Sequence, residues 1–248
     1  LYYYLSDYSK AEPYFLEALR IRKEVLGEKN PDYATSLNSV GSLYHHIGDY
    51  SKAEQYYLEA LRIRKEALGE NHTDYATSLI ILGNLYHYMG DYSKAEQYLL
   101  EALRIDKEVL GENHPDYATS LNNIGMLYED MGNYFKAKPY FLEALRIRKE
   151  VLGETHPDYA TSLNNVGSLY HHIGDYSKAE PYFLEALRIF KEVLGENHPN
   201  YATSLNSVGV LYYYLGDYSK AEQYYLEALR IRKEVLGEKN PDYATSLH

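Results

Sequence analysis

The sequence has no cysteine, no excess of positive charge and no long apolar run, and each absence argues against a class of protein. Without cysteine among its 248 residues there are no disulfides or thiolate metal sites, which favours a reducing, cytoplasmic compartment over secretion. The formal net charge of -11 argues against nucleic-acid binding, which needs clustered lysine and arginine. Because no apolar stretch approaches membrane-spanning length, we expect no membrane partner.

What the sequence does contain is a unit of 42 residues that recurs along the chain about six times. A fixed period of this size is typical of a solenoid of stacked supersecondary units. We therefore expect residues 1–248 to form one repeat array, cut inside the first helix of a repeat at both ends. The repetition also argues against an enzyme, because a catalytic site needs unlike groups at unlike positions. The period is marked by an acidic or amide residue before tyrosine at Asp7, Asp49, Asp91, Asn133, Asp175 and Asp217.

The first helix of each repeat, helix A, is predicted to begin near Asn30-Pro31-Asp32. Proline suits the first helical position and Asn30 can cap the helix. Apolar residues then follow at helical spacing, at Tyr33, Leu37, Val40 and Tyr44. Gly41 lies beside this stripe and recurs in every copy, which indicates that another helix approaches too closely for a side chain. Gly48 is predicted to end helix A in a left-handed cap.

The second helix, helix B, is predicted to open with a capping box at Ser51-Lys52-Ala53-Glu54. Its buried stripe is predicted to contain Ala53, Tyr57, Ala60, Leu61 and the counterparts of Val25. Gly27 ends the preceding helix B. One repeat is therefore a helical hairpin, and because a lone hairpin cannot bury both faces, stacking must stabilise it. The fold class is all-α.

This pattern resembles the tetratricopeptide repeat, and the resemblance covers the whole chain. It is carried by Leu37-x2-Val40-Gly41-x2-Tyr44 and then by Gly48, Tyr50, Ala53, Tyr57 and Ala60. The period exceeds the usual 34 residues, and the long repeats are similar to those of kinesin light chain. The sequence departs from the family at Leu37, where tryptophan is usual, and in lacking a proline after helix B. The resemblance implies a right-handed superhelical solenoid of antiparallel helix pairs.

The resemblance also implies a concave groove, formed by the outer face of the A helices, that binds a peptide or protein partner. In this chain the groove positions are Asn38, Ser42, His45, Ile80, Asn84, His87, Asn122, Met126, Glu129, Asn164, Ser168, His171, Asn206, Val210 and Tyr213.

Two features of that surface suggest how it would bind. Asn38, Asn122, Asn164 and Asn206 form a ladder whose donors and acceptors could clamp an extended peptide backbone, although they are equally compatible with a wet polar face. The last column is variable and has Glu129 at its centre, which favours a basic group near the middle of the ligand. Neutral drift on an exposed surface explains that variability as well.

The sequence predicts no metal site, no cofactor and no catalytic residue. Adjacent histidines such as His45-His46 and His171-His172 point in different directions on a helix, so they cannot share a ligand sphere. The loop histidines recur with the period, which favours a role in the turn; they are His72, His114, His156 and His198. Glu129 and Asp130 lack a partner nucleophile and are predicted to lie in water.

The ends of the chain suggest a second function. Leu1 aligns with Leu211 and Leu247 with Leu37, so the chain begins and ends within helix A, and we expect it to be part of a longer protein. Such terminal half-helices would leave apolar faces uncapped, and an end-to-end contact that does not close gives a filament. The alternative to a binding scaffold is therefore a structural array that self-associates head to tail into fibres.

Overall fold

The computed structural model describes residues 8–237 and Tyr243. In this part of the chain the structure has eleven α-helices and no strand, which confirms the all-α class. The chain divides into two compact units, Leu1–Glu112 and Asn113–His248. The helices are α1 (Tyr8–Leu26), α2 (Pro31–Ile47), α3 (Tyr50–Leu68), α4 (Thr73–Tyr88), α5 (Tyr92–Leu110), α6 (Pro115–Asp130), α7 (Tyr134–Leu152), α8 (Pro157–Ile173), α9 (Tyr176–Leu194), α10 (Pro199–Tyr214) and α11 (Tyr218–Leu236).

The even-numbered helices are the A helices of the repeats and the odd-numbered ones are the B helices. In the first unit each helix packs on the next one in the chain, from α1 through to α5. In the second unit the same consecutive packing runs from α6 to α11. Only Gly48 and Asp49 separate α2 from α3, so consecutive helices form antiparallel hairpins.

The caps of the A helices agree with the sequence prediction. Asn30 caps α2 by accepting the backbone N–H of Asp32 at 2.8 Å, and Gly48 ends that helix with φ 86° and ψ 6°. The loop histidines take the place of Asn30 in the other copies, which confirms their role in the turn. His156, for example, accepts the N–H of Asp158 at its Nδ1, 3.1 Å away. His72, His114 and His198 make the same bond.

The predicted start of the B helices is wrong by two residues. Helix α3 begins at Tyr50, and its cap is Asp49, whose Oδ1 accepts the N–H of Lys52 at 3.1 Å. Glu54 does not fold back to complete a capping box. Its carboxylate instead accepts the hydroxyl hydrogen of Tyr86 at 2.5 Å. Glu54 therefore ties α3 to α4, because a tertiary partner competes successfully with the local one.

The buried stripe of the A helices is as predicted, but that of the B helices is shifted. Tyr33, Leu37, Val40 and Tyr44 are all buried in α2. On the B helices Ala53, Tyr57 and Ala60 are buried, whereas Val25 is 74% exposed and Leu61 is only half-buried. The position that completes the stripe is Ile63, which is 1% exposed. Ile63 lies three residues after Ala60 and ten after Ala53, and thus on the same face of the helix.

The recurring glycine of the A helices packs against a bulky side chain of the following B helix. A Cβ built on Gly125 would lie 2.6 Å from Cε1 of Phe141, and one on Gly41 would lie 2.5 Å from Cε1 of Tyr57. The structure therefore confirms the close approach inferred from the sequence. The group nearest to the glycine is an aromatic ring, or the Leu99 side chain in one repeat, rather than helix backbone.

We expect Gly125→Ala to lower the free energy of unfolding by about 1–3 kcal/mol. The added methyl group collides with the Phe141 ring, which is itself fully buried. Alanine ordinarily stabilises a helix interior by about 1 kcal/mol over glycine, so a loss would show that packing outweighs propensity. Urea unfolding measures the change. In the double variant with Phe141→Ala the collision is gone, and an undiminished penalty there would contradict this explanation.

Candidate functional site

The fifteen groove positions predicted from the sequence all lie on A helices, three on each of α2, α4, α6, α8 and α10. We call this set the A-helix face. The three members on one helix are spaced by four and three residues, so they point to one side of it. Most are half-buried; Asn122 is only 4% exposed, whereas Met126 and Tyr213 are exposed. The members on α2 and α4 belong to the first unit and the others to the second.

The asparagines of the second unit are partly engaged in hydrogen bonds between neighbouring A helices. The Asn122 side-chain amide donates to Ser162 Oγ at 3.1 Å, which links α6 to α8. Ser204 Oγ donates to Asn164 Oδ1 at 3.3 Å, which links α8 to α10. The side-chain oxygens of Asn38 and Asn122 are buried and accept no hydrogen bond from any of the described residues. The asparagines therefore brace the helices and also retain acceptor capacity.

The sequence predicted that Glu129 would lie in water. In the structure it instead forms a hydrogen-bonded cluster between α6 and α8. Its side chain is only 9% exposed. Its Oε1 accepts the hydroxyl hydrogen of Ser168 at 2.9 Å and lies 2.8 Å from Nδ1 of His172. The ring of Tyr134 stacks on His172 with centroids 5.9 Å apart. The sequence missed this cluster because its members are some forty residues apart and meet only when the repeats stack.

Burial raises the pKa of the Glu129 carboxyl, although its bonds to His172 and Ser168 act in the opposite direction. Asp130 raises that pKa further through like-charge repulsion. Among the described residues no lysine or arginine pairs with Glu129. The carboxylate is thus an anionic group that the protein itself neutralises incompletely, which suits the recognition of a cation.

The same three side-chain types occur in hydrolytic triads, but their arrangement here is different. In a triad the serine hydroxyl donates to the histidine, and the other ring nitrogen bonds to the acid. Here Ser168 and His172 both bond to one oxygen of Glu129, so the histidine is not placed to take the serine proton. The geometry supports binding rather than nucleophilic chemistry.

Aromatic contacts join the carboxyl ends of the A helices within each unit. The His45 ring lies 4.8 Å from that of Tyr88 in the first unit, and the His171 ring lies 4.9 Å from that of Tyr214 in the second. His171 Nε2 is buried and has no partner. Burial, helped by the neighbouring His172, lowers the pKa of His171.

A buried arginine on the B helices is a feature of the site that sequence reasoning missed. Arg148 of α7 is 5% exposed. Its guanidinium donates to Thr119 Oγ1 on α6 at 3.0 Å, and to the carbonyl of Asp158 and Ser162 Oγ on α8 at 3.0 and 3.1 Å. Arg64 makes the equivalent bonds in the first unit. The signal was present in the sequence, since this column continues the Ala53, Tyr57 and Ala60 stripe by one more turn.

The part of the chain that the structure describes contains neither a metal-binding cluster nor a membrane-spanning helix. No three side chains of the metal-binding types converge there as a metal ion would require. None of the described helices is long and apolar enough to cross a lipid bilayer.

Comparison with known proteins places the fold among repeat proteins. The family model of the tetratricopeptide repeat matches residues 1–66, 53–108, 95–149, 116–192 and 160–234. No curated protein matches the chain.

Similar solved structures include BtubC (BKLC) from P. vanneervenii, 27% identical, with a TM-score of 0.70, covering 96% of this chain and 93% of that one. A Podosopora anserina putative kinesin light chain with nearly identical TPR-like repeats is 18% identical, with a TM-score of 0.65, covering 85% of this chain and 99% of that one. A Rap protein complexed with Competence and Sporulation Factor is 19% identical, with a TM-score of 0.70, covering 93% of this chain and 65% of that one.

Proposed function

The chain belongs to the tetratricopeptide-repeat family, and on that premise we propose that its A-helix face binds a peptide or a peptide-like segment of a protein partner. Proteins of this family generally mediate protein–protein interactions, and the family's repeat scaffold is typically not enzymatic. The Rap protein, whose fold is similar, has been solved with Competence and Sporulation Factor bound. The proposal for this chain rests on its own side chains.

The observation that carries the proposal is the unused hydrogen-bonding capacity along the A-helix face. Asn38 and Asn122 each hold a buried carbonyl oxygen without a partner. A buried acceptor that has lost its water and gained nothing in exchange costs about 1–3 kcal/mol. Because these oxygens are not accessible as they stand, backbone N–H groups of an extended peptide would supply the missing donors once the asparagine side chains turn toward the ligand. Folded proteins leave few buried polar groups unsatisfied, and those that remain are often functional.

Glu129 supports a second element of the proposal, a basic residue near the middle of the ligand. Its carboxylate is mostly buried and is bonded by a hydroxyl and an imidazole. A lysine or arginine of the partner would add a charge-assisted hydrogen bond, which is roughly twice as strong as a neutral one.

The test uses an exposed residue of the A-helix face and a matched exposed residue elsewhere. Met126, on α6 one turn before Glu129, is 43% exposed; Val151, on the B helix α7, is 48% exposed. Peptides are first selected on the full chain from a phage-displayed library of random sequences, and the affinity of an enriched peptide is then measured by calorimetry. We expect Met126→Arg to weaken binding at least about 10-fold, or 1.4 kcal/mol, through bulk and repulsion of a basic ligand.

Val151→Arg should leave the affinity unchanged, and neither substitution should shift the melting temperature, since both side chains are exposed. The proposal is overturned if Met126→Arg binds as tightly as the unmodified chain, or if both variants lose affinity equally. The proposal would also be contradicted if selection on the unmodified chain enriched no peptide more strongly than the same selection on the Met126→Arg chain.

The alternative function, end-to-end assembly into fibres, depends on the terminal half-helices. Residues 1–7, 238–242 and 244–248 lie outside the described residues, so this stays a prediction. Light scattering at increasing protein concentration tests it, and a monomer at high concentration would contradict it.

A further inference from the structure

One repeat has lost both members of a charged pair that other repeats keep. Phe190 stands where Arg64 and Arg148 stand in their repeats. Asn200 stands where Asp74 and Asp158 stand. Burial lowers the pKa of Arg64 and of Arg148, and the nearby Asp74 and Asp158 act in the opposite direction. In the repeat of α9 and α10 the cation and its anion are therefore replaced together by uncharged residues.

The loss changes the bonding between α8 and α10. Arg148 joins a threonine of α6 to a carbonyl and a serine of α8, and Phe190 can make none of these bonds. The counterpart serine of α10, Ser204, donates to Asn164 Oδ1, whereas Ser162 accepts from both Arg148 and the Asn122 amide. The threonine of α8 at the same column, Thr161, keeps only its bond to the carbonyl of Pro157.

A solvent-open cavity of about 300 Å³ lies at this place, at the lower end of the range of ligand pockets. Phe190 belongs to its lining but is itself only 2% exposed. The remainder consists of hydroxyl and carboxamide side chains of α8 and α10, including Asn164, Asn165, Ser168 and Asn200. None of the described residues that line it carries a formal charge. We call it the Phe190 pocket.

We propose that the Phe190 pocket is a subsite for an uncharged side chain with an apolar body and a hydrogen-bonding tip, of which tyrosine is the natural example. The methyl and methylene groups of the lining threonines, serines and asparagines offer apolar contact to the body of such a side chain. The hydroxyls and carboxamides offer both donors and acceptors to its tip. This inference rests on the proposed function, since it assigns one residue class of the peptide to one place on the A-helix face.

The lining also determines what the pocket rejects. A lysine, arginine or glutamate side chain would lose water on entry and find no opposite charge, which is costly. The pocket adjoins the Glu129 cluster, because Ser168 both lines the pocket and donates to Glu129. The two subsites together would favour a ligand in which a basic residue lies close to a tyrosine.

The experiment titrates N-acetyl-L-tyrosine amide into the full chain, isotope-labelled for NMR, and follows the backbone amides. Saturable shifts are expected at Asn165, Ser168 and Thr203. The glutamate analogue should bind at least about 10-fold more weakly, and the arginine analogue, which Glu129 attracts, should shift Ser168 but not Thr203. Equal affinity for the glutamate analogue, equal shifts of Thr203 with the arginine analogue, or shifts dispersed over the whole chain would overturn the assignment.

Two variants test the location. The pair Phe190→Arg with Asn200→Asp restores the residues that stand at Arg148 and Asp158, so it should fold, place charged groups in the pocket lining and abolish the shifts. Should that pair not fold, Thr203→Arg places a long side chain at an exposed position of the lining and should also abolish them. Its matched control is Thr77→Arg, the exposed residue of the same column on α4. Tyrosine amide binding that survives Thr203→Arg, or that Thr77→Arg removes equally, contradicts the proposal.

The outcomes also separate this inference from the proposed function. If selected peptides bind the A-helix face but tyrosine amide does not bind the pocket, only the subsite assignment fails. If tyrosine amide binds but Met126→Arg leaves peptide binding unchanged, the pocket stands and the wider proposal fails.

Discussion

Phe141→Ala is expected to lower the free energy of unfolding by about 3–5 kcal/mol, the largest effect of any substitution considered for this chain. The Phe141 side chain is fully buried in α7, with its ring against the backbone of Gly125 on α6. Truncation to alanine removes the ring from the core and leaves a cavity that Gly125, having no side chain, cannot fill. Urea unfolding followed by circular dichroism measures the loss.

Phe141→Leu is the matched control, because leucine occupies this column naturally at Leu99, against Gly83. A hydrophobic substitution that nearly conserves volume should cost less than about 1.5 kcal/mol. If the leucine variant is as unstable as the alanine variant, the stability depends on an aromatic contact rather than on filled volume. A loss below about 1 kcal/mol for Phe141→Ala would show that neighbouring residues collapse into the space.

Arg148→Ala is expected to cost about 3 kcal/mol, since hydrogen bonds to a charged group contribute roughly 1.5–3 kcal/mol each and burial leaves their acceptors without water. The guanidinium joins α7 to α6 and α8 through Thr119, Asp158 and Ser162. Its removal breaks the hydrogen bonds that hold α7 to both neighbouring A helices. We measure the change by urea unfolding of the full chain.

Arg146→Ala is the control, two residues away on the same helix. Arg146 is more exposed and forms ion pairs with Glu143 at 2.7 Å and Glu150 at 2.5 Å. Exposed pairs of this kind contribute little, because water screens them and the long side chains lose freedom. We therefore expect only a small fraction of the Arg148 effect. Equal losses for the two variants would contradict the view that burial, rather than the number of ion pairs, determines the contribution.

The features that the sequence predicted correctly are those set by local chemistry. The spacing of Tyr33, Leu37, Val40 and Tyr44 identified the buried face of α2, and Asn30 and Gly48 identified its ends. Each of these depends on residues within a few positions of one another. Because the pattern recurs, the prediction for one helix pair also applied to the helix pairs of the other repeats.

The predictions that were wrong concern side chains with a choice of partners. Glu54 was predicted to cap its own helix but bonds to Tyr86. Glu129 was predicted to lie in water but bonds to Ser168 and His172 of the next A helix. Val25 was predicted to be buried but is 74% exposed. The competing partner in the first two cases is tens of residues away, so no local pattern reveals it.

Only some properties of the groove positions could be predicted from the sequence. The sequence identified which residues share the outer side of the A helices, because helical spacing alone determines that. It did not indicate that Asn122 would be nearly buried and bonded to Ser162, nor that a pocket would lie between α8 and α10. These properties depend on the distance between successive A helices.

The sequence by itself determined the class of fold, the repeat unit, the ends of the A helices and the family, because period, capping residues and apolar spacing act over short distances. Only the tertiary structure decided which polar groups are paired, which are left without a partner and where a cavity opens. The physical reason is that stacking brings one repeat against the next, and the free energy of a buried polar group depends on the neighbour it meets there.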